Sequence, residues 1–176
     1  MVITVIKRMF QLIIFFVVFL FAVNAHSTLV LITKVIDGDT IIMDVEGISM
    51  KARLAYVDAP ELDQEIWGIT AKTFLTKLLN IYPEEMNLPF LGEAQAIQVG
   101  IGAYNRPLIL LFSEGICLNL ALVELGLAET YFDSKTPAQW RKIFTFAENR
   151  AKEKKTGIWG DENYISPKEW RQSKKK

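Results

Sequence analysis

From Thr28 to Val57 the chain runs in short apolar stretches, "TLVLITKVI", "TIIMDV" and "ISMKARLAYV", separated by Asp37-Gly38 and Glu46-Gly47. β-Branched and aliphatic runs bounded by turn residues predict a three-stranded meander. In the third run Met50, Leu54 and Tyr56 fall on one face and Lys51 and Arg53 on the other, so the pattern takes Arg53 out of the core. After Asp58 to Glu61 the period becomes helical. Ile69, Phe74, Leu75, Leu78 and Leu79 predict one helix of about three turns. Ile81 to Gly92, with its two prolines, reads as a loop, and Ala94 to Gly100 and Pro107 to Phe112 as a hairpin around Ile101 to Arg106. A short helix is expected from Asn119, closed by Gly126, and a longer one from about Pro137 to Lys155, closed by Gly157. Three strands, a helix, two strands and two helices suit an α+β fold, mainly β, in which a small closed barrel is backed by helices.

The first stretch has the form of an address. Lys7 and Arg8 precede the apolar run Met9 to Val23, and Val23-Asn24-Ala25 supplies small residues where a signal peptidase would cut. The fifteen residues of this run, only Gln11 among them polar, fall short of the roughly 20 that cross a bilayer, so cleavage after Ala25 is expected rather than retention as an anchor. Residues 1–25 are thus read as a signal peptide, 26–171 as one domain and 172–176 as a basic tail. The expectation is a secreted or periplasmic monomer with no lasting membrane association.

Lysines and arginines equal aspartates and glutamates, 20 of each, which does not advertise a nucleic-acid binder. Their distribution says more: residues 26–133 hold 6 basic against 15 acidic side chains, and 134–176 hold 12 against 5. An acidic front is followed by a basic rear that reads as a solvated helix and tail. The lone Cys117 rules out an intrachain disulfide, and the lone His26, at the expected new terminus, disfavours histidine catalysis and a histidine zinc site.

Charge gathers at the strand ends between Asp37 and Glu61, where a rigid scaffold presents functional groups. One carboxylate there would be an ordinary turn residue. Together they suggest chemistry: Asp39 and Asp58 offer hard oxygens to calcium or magnesium, too few to fill the shell, leaving positions for water and substrate. Two guanidiniums, Arg53 and Arg106, suit a transferring phosphate. Glu61 remains free to orient or deprotonate water.

The motifs "VIDGDT", "ARLAYVDAPE", "AYNRPL", "LNLALVELGLAETY", "ENRAKEKKTGIWG" and "PKEWR", in this order from about Val30 to Arg171, resemble the staphylococcal nuclease family. The resemblance implies an OB-fold, a five-stranded barrel with about three helices. It further implies Ca2+ on Asp39, Asp58 and the carbonyl of Ala59, catalysis by Arg53, Glu61 and Arg106, and hydrolysis of DNA or RNA to 3′-phosphate ends. Tyr104, Tyr131 and Phe132 are candidates for substrate stacking. Asn105 replaces the family's glycine before the second arginine, which a left-handed conformation would tolerate. A binding module of this barrel type typically lacks a member of the reactive set, and here none is missing. The leader predicts an exported species beginning at His26; terminal sequencing that found Met1 on the exported protein would show an anchor instead.

Overall fold

The computed structural model describes residues 27–79 and 92–175, so the leader read at residues 1–25 lies outside the described residues, as does the loop read over 81–92 except for Gly92, which opens a strand. The meander forms as its pattern predicts, as β1 (Thr28–Val35), β2 (Thr40–Val45) and β3 (Ile48–Leu54). After the short β4 (Val57–Asp58) and helix α1 (Trp67–Leu79) come β5 (Gly92–Ile101) and β6 (Pro107–Ser113). Then follow β7 (Ile116–Cys117), α2 (Leu118–Glu124), β8 (Glu129–Thr130), α3 (Ala138–Glu153) and α4 (Pro167–Ser173). Antiparallel neighbours run β3-β2-β1-β5-β6, and a parallel pairing of β6 with β3 closes the five into a barrel. That seam is short: Arg53 faces Leu108 and Leu54 faces Ile109.

Two pairs leave much backbone at the seam in need of partners, and Asn119, fully buried in the first turn of α2, supplies them. Its Oδ1 accepts from the Leu111 N–H at 2.9 Å, and its Nδ2 donates to the carbonyls of Ala55 and Ile109, both at 2.9 Å. One side chain thus joins the end of β3 to β6. The apolar core within the barrel runs on beneath α1, α2 and α3, with Ile32, Ile41, Leu54, Leu75, Leu110, Leu122 and Phe144 fully buried.

Three details differ from the sequence expectation. α1 buries Leu75 and Leu79 as expected, while Ile69 is 59% exposed and the first half of the buried stripe is built on Gly68 and Ala71, small residues that the hydrophobic count passed over. α4 is a fourth helix, beginning at a capping box in which Ser166 Oγ accepts from the Glu169 N–H and Glu169 reaches back to the Ser166 N–H. It runs two residues into the stretch read as a tail. Gly126, at φ +63°, closes α2 as expected, whereas α3 is closed by Lys155, left-handed at φ +52° while the Thr156 N–H donates to the Ala151 carbonyl, and Gly157, at φ +59°, lies past that cap. A Cβ on Gly126 would stand 2.1 Å from the Thr156 carbonyl oxygen and one on Gly157 2.1 Å from that of Gly126, so the glycines also let the two helix ends touch.

If Asn119 holds the seam, Asn119→Leu leaves the Leu111 N–H and the Ala55 carbonyl buried without their partner. A loss of about 2–4 kcal/mol is expected in denaturant unfolding. A loss under about 1 kcal/mol would mean that the strand pairs close the barrel alone.

Candidate active site

At the end of the barrel where β3 meets β6, the bend between β1 and β2 passes very close to α1. A Cβ on Gly38 would lie 2.6 Å from Ala59 Cβ and 2.7 Å from Ala71 Cβ, so glycine is required here for space. The close approach seats Asp39, 4% exposed, against the chain after β4. Its Oδ1 accepts from Thr40 Oγ1 at 2.9 Å and its Oδ2 from the Ala59 N–H at 3.2 Å, while its carbonyl accepts from the Leu54 N–H at 2.8 Å. Tyr56, at φ +66°, turns the chain between β3 and β4 and brings Asp58 back beside Arg53. Arg53 Nη2 then lies 2.6 Å from Asp39 Oδ2 and 2.8 Å from Asp58 Oδ1. Two buried carboxylates therefore converge on one nitrogen.

Burial dominates the electrostatics of Asp39. Desolvation pushes its carboxyl up to about 7, outweighing the attraction of Arg53, with Asp37 adding to the rise and the Thr40 and Ala59 hydrogen bonds opposing it. The ion pair at 2.6 Å does not make up for the lost water. Such a pair of carboxylates fits a hard divalent cation, whose two charges a guanidinium's one only partly matches. No cluster of three or more histidine, cysteine, aspartate or glutamate side chains is placed to hold an ion among the described residues. The donors would be these two carboxylates, backbone and water.

The second arginine arrives from the β5–β6 turn. Tyr104 and Asn105 are both left-handed there, at φ +59° and +56°, and Gly102 donates its N–H to the Arg106 carbonyl at 2.8 Å, closing the turn. Asn105 thus has the conformation expected of it. Arg106 Nε is buried and has no hydrogen-bond partner among the described residues. Arg53, Asp58, Glu61, Arg106 and Tyr131 all line one cleft of about 750 Å3. A one-residue bulge in β5 opposite Leu108 and Ile109 puts Val99 and Gly100 on its wall.

The other sequence candidates are placed differently. Ala59 is buried and is engaged through its N–H with Asp39. Tyr104 stands 99% exposed on its turn, outside the cleft lining. Phe132 is not in the cleft: it is half-buried against the core with the Arg141 guanidinium 4.8 Å above its ring. Sequence reasoning missed Asp133, Lys135 and Thr136 on the cleft wall, and it missed Arg171. From α4, Arg171 Nη2 reaches Asp58 Oδ2 at 2.7 Å, and Nη1 reaches Asp58 Oδ1 at 3.1 Å and Glu61 Oε1 at 2.8 Å. The hydrogen bonds it donates, to Asp58 first and then to Glu61, outweigh its partial burial and hold the proton on this guanidinium more firmly than usual. The "PKEWR" motif and the Ser-x-x-Glu start before it were the available signals.

Residues 51–161 match the family model described as staphylococcal nuclease homologue. An uncharacterized endonuclease of Haemophilus influenzae is 32% identical over 82% of this chain and 73% of its own length. A micrococcal nuclease of Shigella flexneri is 27% identical over 82% of this chain and 80% of its own. A thermonuclease of Staphylococcus intermedius is 29% identical over 73% and 74%.

The raised Asp39 carboxyl has a stability consequence with a definite sign. A carboxyl that holds its proton more tightly folded than unfolded costs stability as pH rises from its ordinary value near 3.8 to about 7. In chelator, Asp39→Asn is therefore expected to gain on the natural protein across that window and to keep the gain above pH 7, as read by denaturant unfolding. A difference independent of pH would show that Arg53 fully offsets the burial.

Proposed function

The chain belongs to the staphylococcal nuclease family, and on that premise we propose that it is an exported, calcium-dependent nuclease. It would hydrolyse phosphodiester bonds of DNA or RNA and leave 3′-phosphate ends. One observation carries the reading: a buried guanidinium donor, Arg106 Nε, is left without a partner in the cleft that holds Arg53, Asp58 and Glu61. Among the buried donors without a partner, Arg106 Nε is the one in the cleft lining, where a bound acceptor can reach it. The acceptor that two guanidiniums in one cleft suit is a phosphate.

Asp39 and Asp58, with the carbonyl of Ala59, are the residues proposed to hold calcium, which when bound supplies a positive charge to polarise a non-bridging phosphate oxygen. Arg53 and Arg106 hold the phosphate from the cleft walls, and their planar donors strengthen as charge builds on its oxygens during in-line attack by water. Glu61 accepts or directs the proton of that water. Tyr131 offers a face on which an unpaired base stacks, which favours single-stranded or fraying substrate. Tyr104 stands beside the opening, free to meet a longer strand. Secretion or delivery to the periplasm rests on the leader.

Digestion of plasmid, single-stranded DNA and RNA by the protein lacking its leader, with calcium and then with chelator, tests the activity and its metal. Hydrolysis is expected only with calcium; full activity in excess chelator would sink the metal assignment. Arg106→Lys keeps the charge and removes the fork, so turnover should fall on the order of 10² to 10³ while ground-state binding changes far less. Near-normal turnover with weakened binding restored at low salt would make Arg106 a mere phosphate attractor.

A further inference from the structure

The C-terminal segment crosses the barrel end and clasps the loop that carries Glu61. Trp67 Nε1 donates to Asp161 Oδ2 at 2.7 Å and Gln64 Nε2 to the Ile165 carbonyl at 2.9 Å. Trp170 Nε1 donates to Asp63 Oδ1 at 2.9 Å, and Lys174 pairs with the same carboxylate. Gln64 in turn receives the Glu61 N–H on its Oε1 at 2.7 Å, so the clasp reaches the backbone of Glu61 itself. These bonds dock α4 without Arg171. Its guanidinium is thus not needed as a fastener, and it points into the cleft, with Nη1 shared between Asp58 Oδ1 and Glu61 Oε1.

We propose that Arg171 is a positioning residue: it ties the Glu61 carboxylate to Asp58 and so fixes the proton acceptor beside the carboxylate pair that faces the substrate. The inference deepens the nuclease reading and rests on it. Glu61 is over a third exposed, its side chain has no other hydrogen-bond partner among the described residues, and without Arg171 it has the rotamer freedom of a surface glutamate. A lysine in its place offers a point charge with no planar fork, which cannot span two carboxylates in a fixed geometry. The same contact makes Arg171 a resident counter-charge on Asp58. Both Asp58 oxygens are engaged by guanidinium nitrogens, Oδ1 by Arg53 and Arg171 and Oδ2 by Arg171, so a cation arriving there meets a positive neighbour.

The test compares Arg171→Gln, Arg171→Lys and Trp170→Phe in the full domain, with melting temperature as the folding check. Arg171→Gln should lose about 10² in kcat, the cost of a misplaced catalytic group, with KM within about threefold. Arg171→Lys should recover less than a tenth of the loss, and Trp170→Phe, which removes one docking bond, should keep near-normal turnover. Calcium alone, titrated calorimetrically without nucleic acid, should bind Arg171→Gln about tenfold more tightly than the natural protein, since a like charge has been removed. The proposal is overturned by unchanged kcat in Arg171→Gln, by full rescue with lysine, or by an equal loss in Trp170→Phe, which would make Arg171 one more docking contact. Unchanged or weakened calcium binding also overturns it. Should the natural protein cleave no nucleic acid at all, the nuclease reading fails separately. The calcium titration then decides on Arg171, tighter binding supporting the contact with Asp58 and no change removing it.

Discussion

Closure of the barrel rests on two residue pairs, Arg53 with Leu108 and Leu54 with Ile109, continued by the buried amide of Asn119. The candidate site is arranged by that seam. It places Arg53, the next-to-last residue of β3, against the start of β6, so that Arg106, just before β6, comes to the same end of the barrel. The turn at Tyr56 and the short pairing of Val57 and Asp58 with Thr130 and Glu129 then fold the chain back over that end, carrying Asp58, Glu61 and Tyr131 to one opening. Strand ends on a closed barrel hold their side chains more rigidly than a free loop would, which suits a site in which donors must be aimed before the substrate arrives.

The site stands in tension with stability. Asp39 and Asp58 are nearly buried, and for Asp39 the loss of water outweighs the nearest guanidinium. Arg106 leaves a donor open in the cleft wall. Both are unfavourable in themselves, the pattern expected where function rather than packing has chosen the residues. The core compensates: a single apolar cluster runs from the barrel interior to Phe144 on α3, with Tyr56 and Trp140 packed against that ring.

How much of this was legible in the sequence depended on the range of the cause. The meander, the hairpin and the end of α2 follow from alternation, turn residues and a glycine, all local, and they appear where the pattern put them. So does the charge cluster, because Asp39, Arg53, Asp58 and Glu61 are close in the chain as well as in space. Gly38 shows the limit: it reads as a turn glycine, but its φ is ordinary, and what forbids a side chain is the approach of Ala59 and Ala71 from other elements. Phe132 was a candidate partner for a base because aromatic identity carries no direction, and its ring lies outside the cleft lining, under the Arg141 guanidinium. Arg171 was hidden for a third reason. More than a hundred residues separate it from Asp58, and no periodicity connects them.

The separation along the chain has a consequence in time. Synthesis proceeds from the N-terminus, and domains fold as units once their parts are available. The carboxylates of Asp39, Asp58 and Glu61 emerge first, Arg106 later, and the helix bearing Arg171 more than a hundred residues after Asp58. Until β6 exists there is no seam, and until α4 has emerged its guanidinium does not tie Glu61 to Asp58. A ribosome-bound fragment that stops short of α4 therefore carries the candidate side chains without that tie, and the cleft is complete only once α4 has docked.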